Sequence, residues 1–320
     1  MEGLLLAVTV IIVTYNSAQV IEGCLDALWR HAPDATVIVV DNASSDDTVA
    51  RARRYADVRV IANTENRGFA AAVNQGARQD AGAETQDFIL LLNPDVELSS
   101  DLGSLMEACR VHGMAAGQLT DSSGRPQAGF TVRRLPTAMT LVFELLGLNR
   151  LWKSNPVNRR FRYLDRDLRE PGAVEQPAGA FLLVRSDVWR RLGGMDESFF
   201  PIWFEDVDLC QRAKDAGVRI EYVPSVTARH WGGHSVGVLP AGCRALYWCD
   251  SLLKYAAKHF QADYYRGVCA AVLLSSVPRG LVGIFRDRNL DSLTVSMRIA
   301  RMAAHRLLSR RAGRIAEDGD

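Results

Sequence analysis

The first hundred residues alternate between short apolar, β-branched runs and stretches in which apolar residues recur with helical spacing. The apolar runs predict strands at Val8–Thr14, Thr36–Val40, Val58–Ala62 and Phe88–Leu92. The helical spacing predicts helices at Val20–His31, Asp46–Ala56 and Ala70–Ala81. This alternation indicates an α/β fold with a mostly parallel sheet flanked by helices. The uninterrupted apolar strands are typical of a sheet covered on both faces.

Polar residues follow each predicted strand directly. They are Thr14-Tyr15-Asn16, Asp41-Asn42, Asn63 and Asn93-Pro94-Asp95. Ligands of parallel sheets bind beyond the carboxyl ends of the strands. We therefore expect these residues to share one edge of the sheet and to form a site there.

The pattern weakens between about Gly113 and Pro171, which predicts a long, partly mobile loop. Regular spacing returns with strands at Phe181–Val184 and Arg219–Val223 and helices at Ser186–Leu192 and Asp206–Ala216. Beyond Leu239 the chain has helical character throughout. The sequence therefore predicts an α/β domain over residues 1–238 and a helical C-terminal region over residues 239–320.

Composition is that of a soluble globular protein, with 48% hydrophobic and 23% charged residues. Lysine and arginine number 38 against 37 aspartate and glutamate residues, which argues against a general nucleic-acid binder. The six cysteines lack metal-like spacing and indicate reduced thiols in a cytoplasmic protein. The apolar stretch Leu4–Val13 has no preceding basic residues and is too short to span a bilayer, so we interpret it as part of the first strand.

Asp41 is the first candidate for ligand binding. A carboxylate at a strand end accepts hydrogen bonds from a base N–H or a ribose hydroxyl. The alternative is a helix cap, a role that Ser44, Asp46 or Asp47 fills equally well.

The segment Asn66–Gly76 carries a second candidate. Arg67-Gly68 stands just before an Ala-rich helix, where backbone N–H groups and a guanidinium suit an anion. Asn74 lies inside that helix and is unfavourable there unless it has a partner. The alternative is a tight loop with close helix–sheet packing.

Two segments suggest a cation site. Asp95, in Asn93-Pro94-Asp95, is placed to give one oxygen ligand to Mg²⁺ or Mn²⁺ that also binds diphosphate and water, although a strand-end aspartate also forms turns. His230, after a strand and a Pro-Ser turn, suits a metal ligand or a diphosphate contact, although single histidines are more often structural.

The segment Trp203–Asp208 places three carboxylates within four residues beside large aromatic side chains. Mutual repulsion and an apolar environment raise the pKa of at least one acid, as a general base near neutral pH requires. The alternative is an acidic helix N-terminus that opposes the helix dipole.

Taken together, the ordered motifs from Val8 to about Ser235 resemble the family 2 glycosyltransferases. The similarity is greatest to the rhamnosyltransferase-like branch of bacterial cell-surface polysaccharide enzymes. The motifs are Thr14-Tyr15-Asn16-Ser17, Val40–Asp46, Asn66-Arg67-Gly68-Phe69, Asn74-Gln75-Gly76, Asn93-Pro94-Asp95, Gly179-Ala180-Phe181, Phe204–Asp208 and His230 with Gly232-Gly233.

The resemblance implies a nucleotide-binding sheet of the glycosyltransferase-A type and inverting transfer from a nucleotide-diphosphate sugar, with Mg²⁺ or Mn²⁺ as cofactor. It assigns the donor to Thr14, Tyr15, Asn16, Asp41, Asn42, Arg67, Gly68, Asn74 and Asn93. It assigns the sugar and acceptor pocket to Gly179, Ala180, Phe181, Trp203 and Glu205. Asp206 matches the catalytic base and Asp95 the metal ligand, and His230 is the second candidate ligand. Asn93 replaces the first acid of the family's D-x-D motif and removes one negative charge there.

By resemblance, the donor is dTDP-rhamnose or a UDP-sugar, and the acceptor is a glycan or lipid-linked glycan of cell-surface polysaccharide synthesis. The Q-x-x-R-W motif and transmembrane helices of processive synthases do not occur in this sequence, which favours single additions. A nucleotidyltransferase is a rival, but it usually has a Gly-rich basic loop after the first strand. An inactive nucleotide- or glycan-binding scaffold is a second rival, which intact Asp95 and Asp206 argue against.

Membrane contact is the last expectation from sequence. Gly267–Val277 is apolar but too short to span a bilayer. Farther along, one helical face carries Leu293, Met297, Ala300, Ala304 and Leu307, with Arg298, Arg301, Arg306 and Arg310 mostly off it. The pattern fits an interfacial helix at the cytoplasmic face of a membrane, or an ordinary helix packed on the domain.

Overall fold

The computed structural model describes residues 7–79, 86–232, 237, 240–287 and 291–309. The chain divides into two compact units. The first comprises residues 1–135, 162–201 and 205–238, and the second comprises residues 136–161, 202–204 and 239–320. One division falls at the predicted boundary after residue 238, and two earlier segments also belong to the second unit.

The strands are β1 (Ala7–Thr14), β2 (Thr36–Asp41), β3 (Val58–Ala62), β4 (Gln86–Leu92), β5 (Val96–Leu98), β6 (Gly113–Thr120), β7 (Val132–Arg133), β8 (Gly172–Val174), β9 (Gln176–Pro177), β10 (Phe181–Arg185) and β11 (Arg219–His230). The helices are α1 (Ile21–His31), α2 (Thr48–Ala52), α3 (Phe69–Gln79), α4 (Gly103–His112), α5 (Ala138–Leu145), α6 (Leu148–Leu151), α7 (Pro156–Phe161), α8 (Ser186–Leu192), α9 (Glu205–Asp215), α10 (Ala241–His259), α11 (Ala262–Asp287) and α12 (Asp291–Leu308). Every strand and helix predicted in the first hundred residues is present. The predicted end of the third helix at Ala81 lies outside the described residues.

The main sheet has the strand order β3-β2-β1-β4-β10-β6-β11-β5, with β8 also pairing with β11. β1 to β4 are parallel to one another, as the sequence predicts. β10 enters antiparallel between β4 and β6, and β5 is antiparallel to β11. The sheet is therefore mixed rather than mostly parallel.

The expectation of a long loop between Gly113 and Pro171 is wrong. The segment contains β6, β7 and the short helices α5, α6 and α7. β6 begins with Gly and Ala residues, and these small side chains weaken the apolar pattern. Gly117 is required to be small because Phe181 lies against it: a Cβ added there would stand 2.2 Å from the Phe181 ring.

Small residues also bring α3 close to the sheet. Ala70, Ala72 and Val73 are buried on this helix. A Cβ added at Gly76 would lie 2.9 Å from Ile11 of β1, so the glycine sets the helix–sheet distance. The close packing considered as an alternative for this segment is present.

The second unit is helical. α11 contains the apolar run Gly267–Val277 and continues as helix through Pro278. α12 buries Ser296, Ile299 and Ala303, whereas Met297 on the predicted interfacial face is exposed. Arg306 of that helix donates to the Asp250 carboxylate at 2.5 Å. Among the helices described, none is both long enough and apolar enough to cross a membrane.

Candidate active site

Asp41 joins the loops that follow β1 and β2. Its Oδ1 accepts from Thr14 Oγ1 at 2.7 Å and from Ser44 Oγ at 2.5 Å, and its Oδ2 accepts from Ser44 N at 2.8 Å. The side chain is 1% exposed. Asp41 therefore braces the edge predicted to receive the nucleoside, and it holds Thr14 beneath that surface.

Asn16 makes the outer link between the same two loops. Its backbone adopts φ 51°, in the left-handed region where Asn is tolerated. Asn16 Oδ1 accepts from Ser45 N at 2.8 Å, while Asn16 N donates to Ser44 Oγ at 2.8 Å. Within the described residues its Nδ2 makes no hydrogen bond, and Tyr15 beside it is half-buried. The loop is thus rigid and keeps one amide donor available at its surface.

Asn42 organises the next loop along the edge. Its Nδ2 donates to Gly68 O at 3.1 Å, and its Oδ1 accepts from Asn63 Nδ2 at 3.2 Å. Arg67 N also points at this oxygen, at 3.4 Å. Asn42 therefore acts as a bridge between loops.

The start of α3 differs from the expected anion site. Gly68 N donates to Asn66 Oδ1 at 2.9 Å, and Phe69 N donates to Pro201 O at 2.8 Å. Because these N–H groups are bonded within the protein, they are not free for a phosphate. The exposed guanidinium of Arg67 makes no hydrogen bond or ion pair within the described part of the chain, so it is the group left to meet an anion.

Asn74 has the partners that its place inside a helix demands. Its Nδ2 donates to Met195 O at 2.8 Å and to Glu197 Oε1 at 2.9 Å, and its Oδ1 accepts from Met195 N at 2.9 Å. Both amide hydrogens are therefore used inside the protein. Asn74 clamps a turn, and the structure does not support its assignment to the donor.

Asn93-Pro94-Asp95 forms the turn between β4 and β5. Asn93 N donates to Ala180 O at 3.0 Å, and Asn93 O accepts from Val96 N at 3.1 Å. Among the described residues, no partner bonds the Asn93 side-chain amide. The backbone of this turn is fixed, and its polar side chain stays available.

The pairing of β5 with β11 brings His230 to Asp95, 135 residues away in sequence, because Val96 and His230 are register partners. Asp95 Oδ1 lies 3.6 Å from His230 Nε2, and both side chains are buried. Burial lowers the pKa of His230 against the raising effect of the Asp95 charge, so the imidazole is neutral near pH 7.

Gln127 determines which nitrogen of His230 carries the proton. Gln127 Nε2 donates to His230 O at 3.0 Å, which leaves Gln127 Oε1 to accept from Nδ1–H at 2.9 Å. Phe130 stacks on the imidazole with ring centroids 4.9 Å apart. The Nε2 lone pair therefore faces the Asp95 carboxylate with no proton between the two acceptors, an arrangement suited to a cation.

These two residues fit a divalent metal that shares its coordination with a substrate. The described residues contain no group of three or more His, Cys, Asp or Glu side chains able to hold an ion. Mg²⁺ and Mn²⁺ sites commonly take one or two protein ligands and complete their shell with phosphate oxygens and water. Asp95 Oδ1 and His230 Nε2 are ligand atoms of that kind.

Asp206 is hydrogen-bonded to Gly179, which precedes Ala180 in the loop before β10. Asp206 Oδ2 accepts from Gly179 N at 3.0 Å and from Gln176 Nε2 at 3.3 Å, and Oδ1 accepts from Val207 N at 2.8 Å. A Cβ added at Gly179 would lie 3.0 Å from Asp206 Cβ. Asp206 is partly exposed and oriented by backbone and amide donors.

The three acids of this segment have separate environments. Burial, followed by the Asp206 charge, raises the pKa of Glu205 well above its usual range, and Glu205 Oε2 has no hydrogen-bond partner. Asp208 is fully buried and accepts from Arg212 Nε at 2.7 Å. The prediction that at least one acid has a raised pKa is confirmed for Glu205, which is not the residue that the resemblance matches to the base.

A family model described as Glycosyl transferase family 2 matches residues 9–188, more than half of the chain. An N-acetylglucosaminyl-diphospho-decaprenol L-rhamnosyltransferase of Mycobacterium tuberculosis is 31% identical over 269 residues, which cover 78% of this chain and 84% of that protein. The chain belongs to glycosyl transferase family 2.

A further relative agrees with this membership, and a solved structure agrees with the fold. The rhamnosyltransferase WbbL of Escherichia coli is 27% identical over 237 residues, covering 71% of this chain and 84% of that protein. The mannosyltransferase PcManGT from Pyrobaculum calidifontis, solved with GDP-Man and Mn²⁺, has a TM-score of 0.51 at 18% identity and covers 95% of this chain and 87% of that one. The predicted glycosyltransferase-A fold is confirmed, with the mixed sheet described above.

The residues that the resemblance assigns to the pocket of this family 2 enzyme differ in their exposure. Ala180 is buried and bonds to Asn93 through its carbonyl, whereas Phe181 is 1% exposed and belongs to the hydrophobic core. Because Phe181 fills the space over Gly117, it does not line a sugar pocket. Trp203 is half-buried with φ 81°, a left-handed conformation that is strained for an aromatic residue.

Gln127 and Gln176 are site residues that sequence reasoning missed. Gln127 follows a polar hairpin, where glutamine carries no distinctive pattern. Gln176 is buried in the two-residue strand β9, next to a proline that interrupts the apolar pattern. Their importance depends on His230 and Asp206, which reach them only in the folded chain.

Proposed function

We propose that this family 2 glycosyltransferase is an inverting, non-processive enzyme that depends on Mg²⁺ or Mn²⁺. It transfers a sugar from a nucleotide-diphosphate donor to a hydroxyl of a glycan or lipid-linked glycan in cell-surface polysaccharide synthesis. The observation that carries the proposal is the Gly179–Ala180 loop. Gly179 N holds the Asp206 carboxylate, and Ala180 O holds the turn that bears Asp95. One loop thus sets the distance between a base and the pair suited to a metal.

The transfer is a single displacement. Asp206 accepts the proton of the acceptor hydroxyl while that oxygen bonds to the anomeric carbon, and the bond from this carbon to the diphosphate oxygen breaks with its electron pair. Burial raises the pKa of Glu205 and so favours its neutral form, and Asp208 is ion-paired with Arg212, so neither competes as a nucleophile. One attack from the face opposite the leaving group inverts the anomeric centre.

Asp95 and His230 would hold the metal, with Gln127 fixing the imidazole. A bound divalent ion offsets the negative charge that grows on the departing diphosphate. The exposed guanidinium of Arg67 and the unpaired amide of Asn93 add donors on the same edge. Tyr15 and Asn16, on loops braced by Asp41, contact the nucleoside.

dTDP-rhamnose is the leading donor, and a UDP-sugar is the alternative. Two relatives, each matched over 84% of its own length, are rhamnosyltransferases. The name of the one from M. tuberculosis includes a decaprenol-linked acceptor. The fold by itself does not choose a base, since a structural neighbour of similar topology was solved with GDP-Man. By the same relationship, the acceptor is lipid-linked and the enzyme acts at the cytoplasmic face of a membrane.

Asp206→Asn tests the proposal. The amide keeps the size of the side chain but does not accept the proton, so transfer falls about 10²–10⁴-fold. The measurement is release of nucleoside diphosphate from dTDP-rhamnose with Mn²⁺ and acceptor, together with the anomeric configuration of the product by NMR. Asp215→Asn, at the exposed end of the same helix, serves as the matched control and retains activity.

Donor-induced thermal stabilisation should persist in Asp206→Asn, because donor binding uses other residues. Near-normal transfer by this variant would show that another group is the base. A product with retained configuration would rule out the single displacement.

A further inference from the structure

The second unit exposes two consecutive large apolar side chains at the end of α6. Leu151 is 85% exposed and Trp152 is 57% exposed. We call this pair the apolar tip. Isolated apolar residues are common on protein surfaces, but an adjacent leucine and tryptophan held in water suggest a binding surface.

Three buried asparagines form hydrogen bonds with one another and with the backbone of the segment that carries the apolar tip. Asn155 Nδ2 donates to Trp152 O at 2.6 Å and to Asn149 Oδ1 at 3.0 Å. Asn158 Nδ2 donates to Lys153 O at 2.7 Å, and Asn158 N donates to Asn155 Oδ1 at 2.8 Å. A buried polar network of this kind is stable only when its members are bonded. The fold therefore presents the apolar tip on a fixed frame.

Cations flank the apolar tip on both sides. Arg150 and Lys153 are exposed, and neither makes an ion pair within the described part of the chain. Residues 136–161 contain four cations and a single carboxylate, Glu144, in a protein whose net charge is only +1. That carboxylate accepts from Asn149 Nδ2 at 2.7 Å, beneath the tip. The charge around the apolar tip is thus strongly positive.

A second apolar surface of the same unit lies on α11. Leu274, Val277, Leu281 and Val282 are each at least half exposed, and we call them the apolar stripe. Arg279, within the stripe, donates to Leu145 O at 2.6 Å, which ties α11 to the end of α5 beside exposed Leu146. This bond joins α11 to the chain segment that continues through exposed Leu146 to the apolar tip.

We infer that the apolar tip and the apolar stripe dock the protein on an anionic lipid bilayer. Tryptophan favours the boundary between headgroups and acyl chains, and cations beside it bind anionic headgroups. A second copy of this chain is a poorer partner, because it would set Arg150 and Lys153 against like charges. The inference deepens the proposed function and rests on it for its purpose, a lipid-linked acceptor, whereas the binding itself needs neither donor nor acceptor.

The test is cosedimentation of the full chain with vesicles of phosphatidylcholine containing about one third phosphatidylglycerol. The wild type binds these vesicles, and the double variant Leu151→Ser/Trp152→Ser binds at least about tenfold more weakly because it loses apolar burial. Arg150→Gln/Lys153→Gln loses binding by about fivefold for each cation, only on the anionic vesicles. Val111→Ser, an exposed apolar position in the first unit, is the matched control and binds normally.

Equal binding by wild type and both double variants would overturn the inference. So would a loss confined to Met297→Ser, which would assign the contact to α12. A tip variant that changes the oligomeric state in the absence of vesicles would indicate a second copy as the partner. Donor-induced thermal stabilisation in the double variants reports on the proposed function separately, since it does not involve lipid.

Discussion

At the scale of single residues, the site depends on side chains that orient other side chains by hydrogen bonds. His230 is neutral because it is buried, and Gln127 directs its lone pair toward Asp95. Asp206 is oriented by Gly179 N and Gln176, while burial raises the pKa of Glu205 beside it. The two neighbouring acids thus have different environments, because Glu205 is buried with one oxygen unbonded and Asp206 is partly exposed and hydrogen-bonded.

Gln127→Leu should weaken Mn²⁺ binding about 10–100-fold, the usual cost of removing a partner that orients a metal-binding histidine. Titration of Mn²⁺ by electron paramagnetic resonance measures this directly, without turnover. Gln127→Glu keeps an acceptor for Nδ1–H and should lose less. Equal losses in the two variants would contradict a role in fixing the tautomer, and Ser123→Ala in the same hairpin is the control.

Glu205→Gln should stabilise the protein increasingly as pH rises. The folded state holds the Glu205 proton more tightly than the unfolded state, whose carboxyl ionises near 4.5. The wild type therefore loses stability above that pH, by at most about 1.4 kcal/mol per pH unit, until the folded pKa is reached. Urea unfolding at several pH values measures the difference. A pH-independent gap would contradict the raised pKa of this buried acid, and Glu65→Gln, at an exposed position, is the control variant.

At the scale of elements, neighbouring loops and helices are connected by side-chain amides. Asn42 bridges the loops after β2 and β3, and Asn74 fastens α3 to the turn at Met195. On the other side of that turn, Arg212 donates to Leu192 O at 2.6 Å and to Gly194 O at 2.8 Å. This turn precedes the segment that leads to Asp206.

Asn74→Ala should lower the free energy of unfolding by at least about 2 kcal/mol. It leaves the backbone N–H and carbonyl of Met195 buried without partners, and each unsatisfied group costs about 1–3 kcal/mol. Gln75→Ala, on the same helix, is the control. It removes two half-buried hydrogen bonds to Asn63 and should lower the free energy of unfolding less. Unfolding in urea measures both, and equal losses would contradict the clamp.

At the scale of the whole molecule, three observations indicate the same fold and family. They are the β-α-β pattern, the polar residues at the strand ends and the match to the family model. The sequence motifs identified the sheet edge because strand and helix periodicity is local. Strand β6 was missed because its glycine and alanine residues carry little periodic signal, and β7 because two residues are too few to show a period. The helix α6 was missed because it has only four residues and ends at exposed Leu151.

Donor binding should stabilise the whole fold in a metal-dependent way. A ligand at 100 times its Kd adds about 2.7 kcal/mol, so dTDP-rhamnose with Mn²⁺ should raise the Tm more than UDP-sugars do. Removing the metal with EDTA should abolish most of the shift, because Asp95 and His230 then lack the ion that links them to the diphosphate. An undiminished shift in EDTA would contradict the proposed metal site.

The sequence by itself determined the α/β pattern, the shared edge of Thr14, Asp41 and Asp95, and the resemblance to family 2 glycosyltransferases. These features depend on neighbours a few residues apart, where periodicity and chain direction suffice. Only the tertiary structure decided that His230 faces Asp95, that Gln127 fixes its tautomer, and that Glu205 rather than Asp206 is desolvated. It also showed that Asn74 binds the backbone of Met195 and that Phe181 is buried in the hydrophobic core. Those outcomes follow from strand register and burial, which arise from contacts between distant parts of the chain.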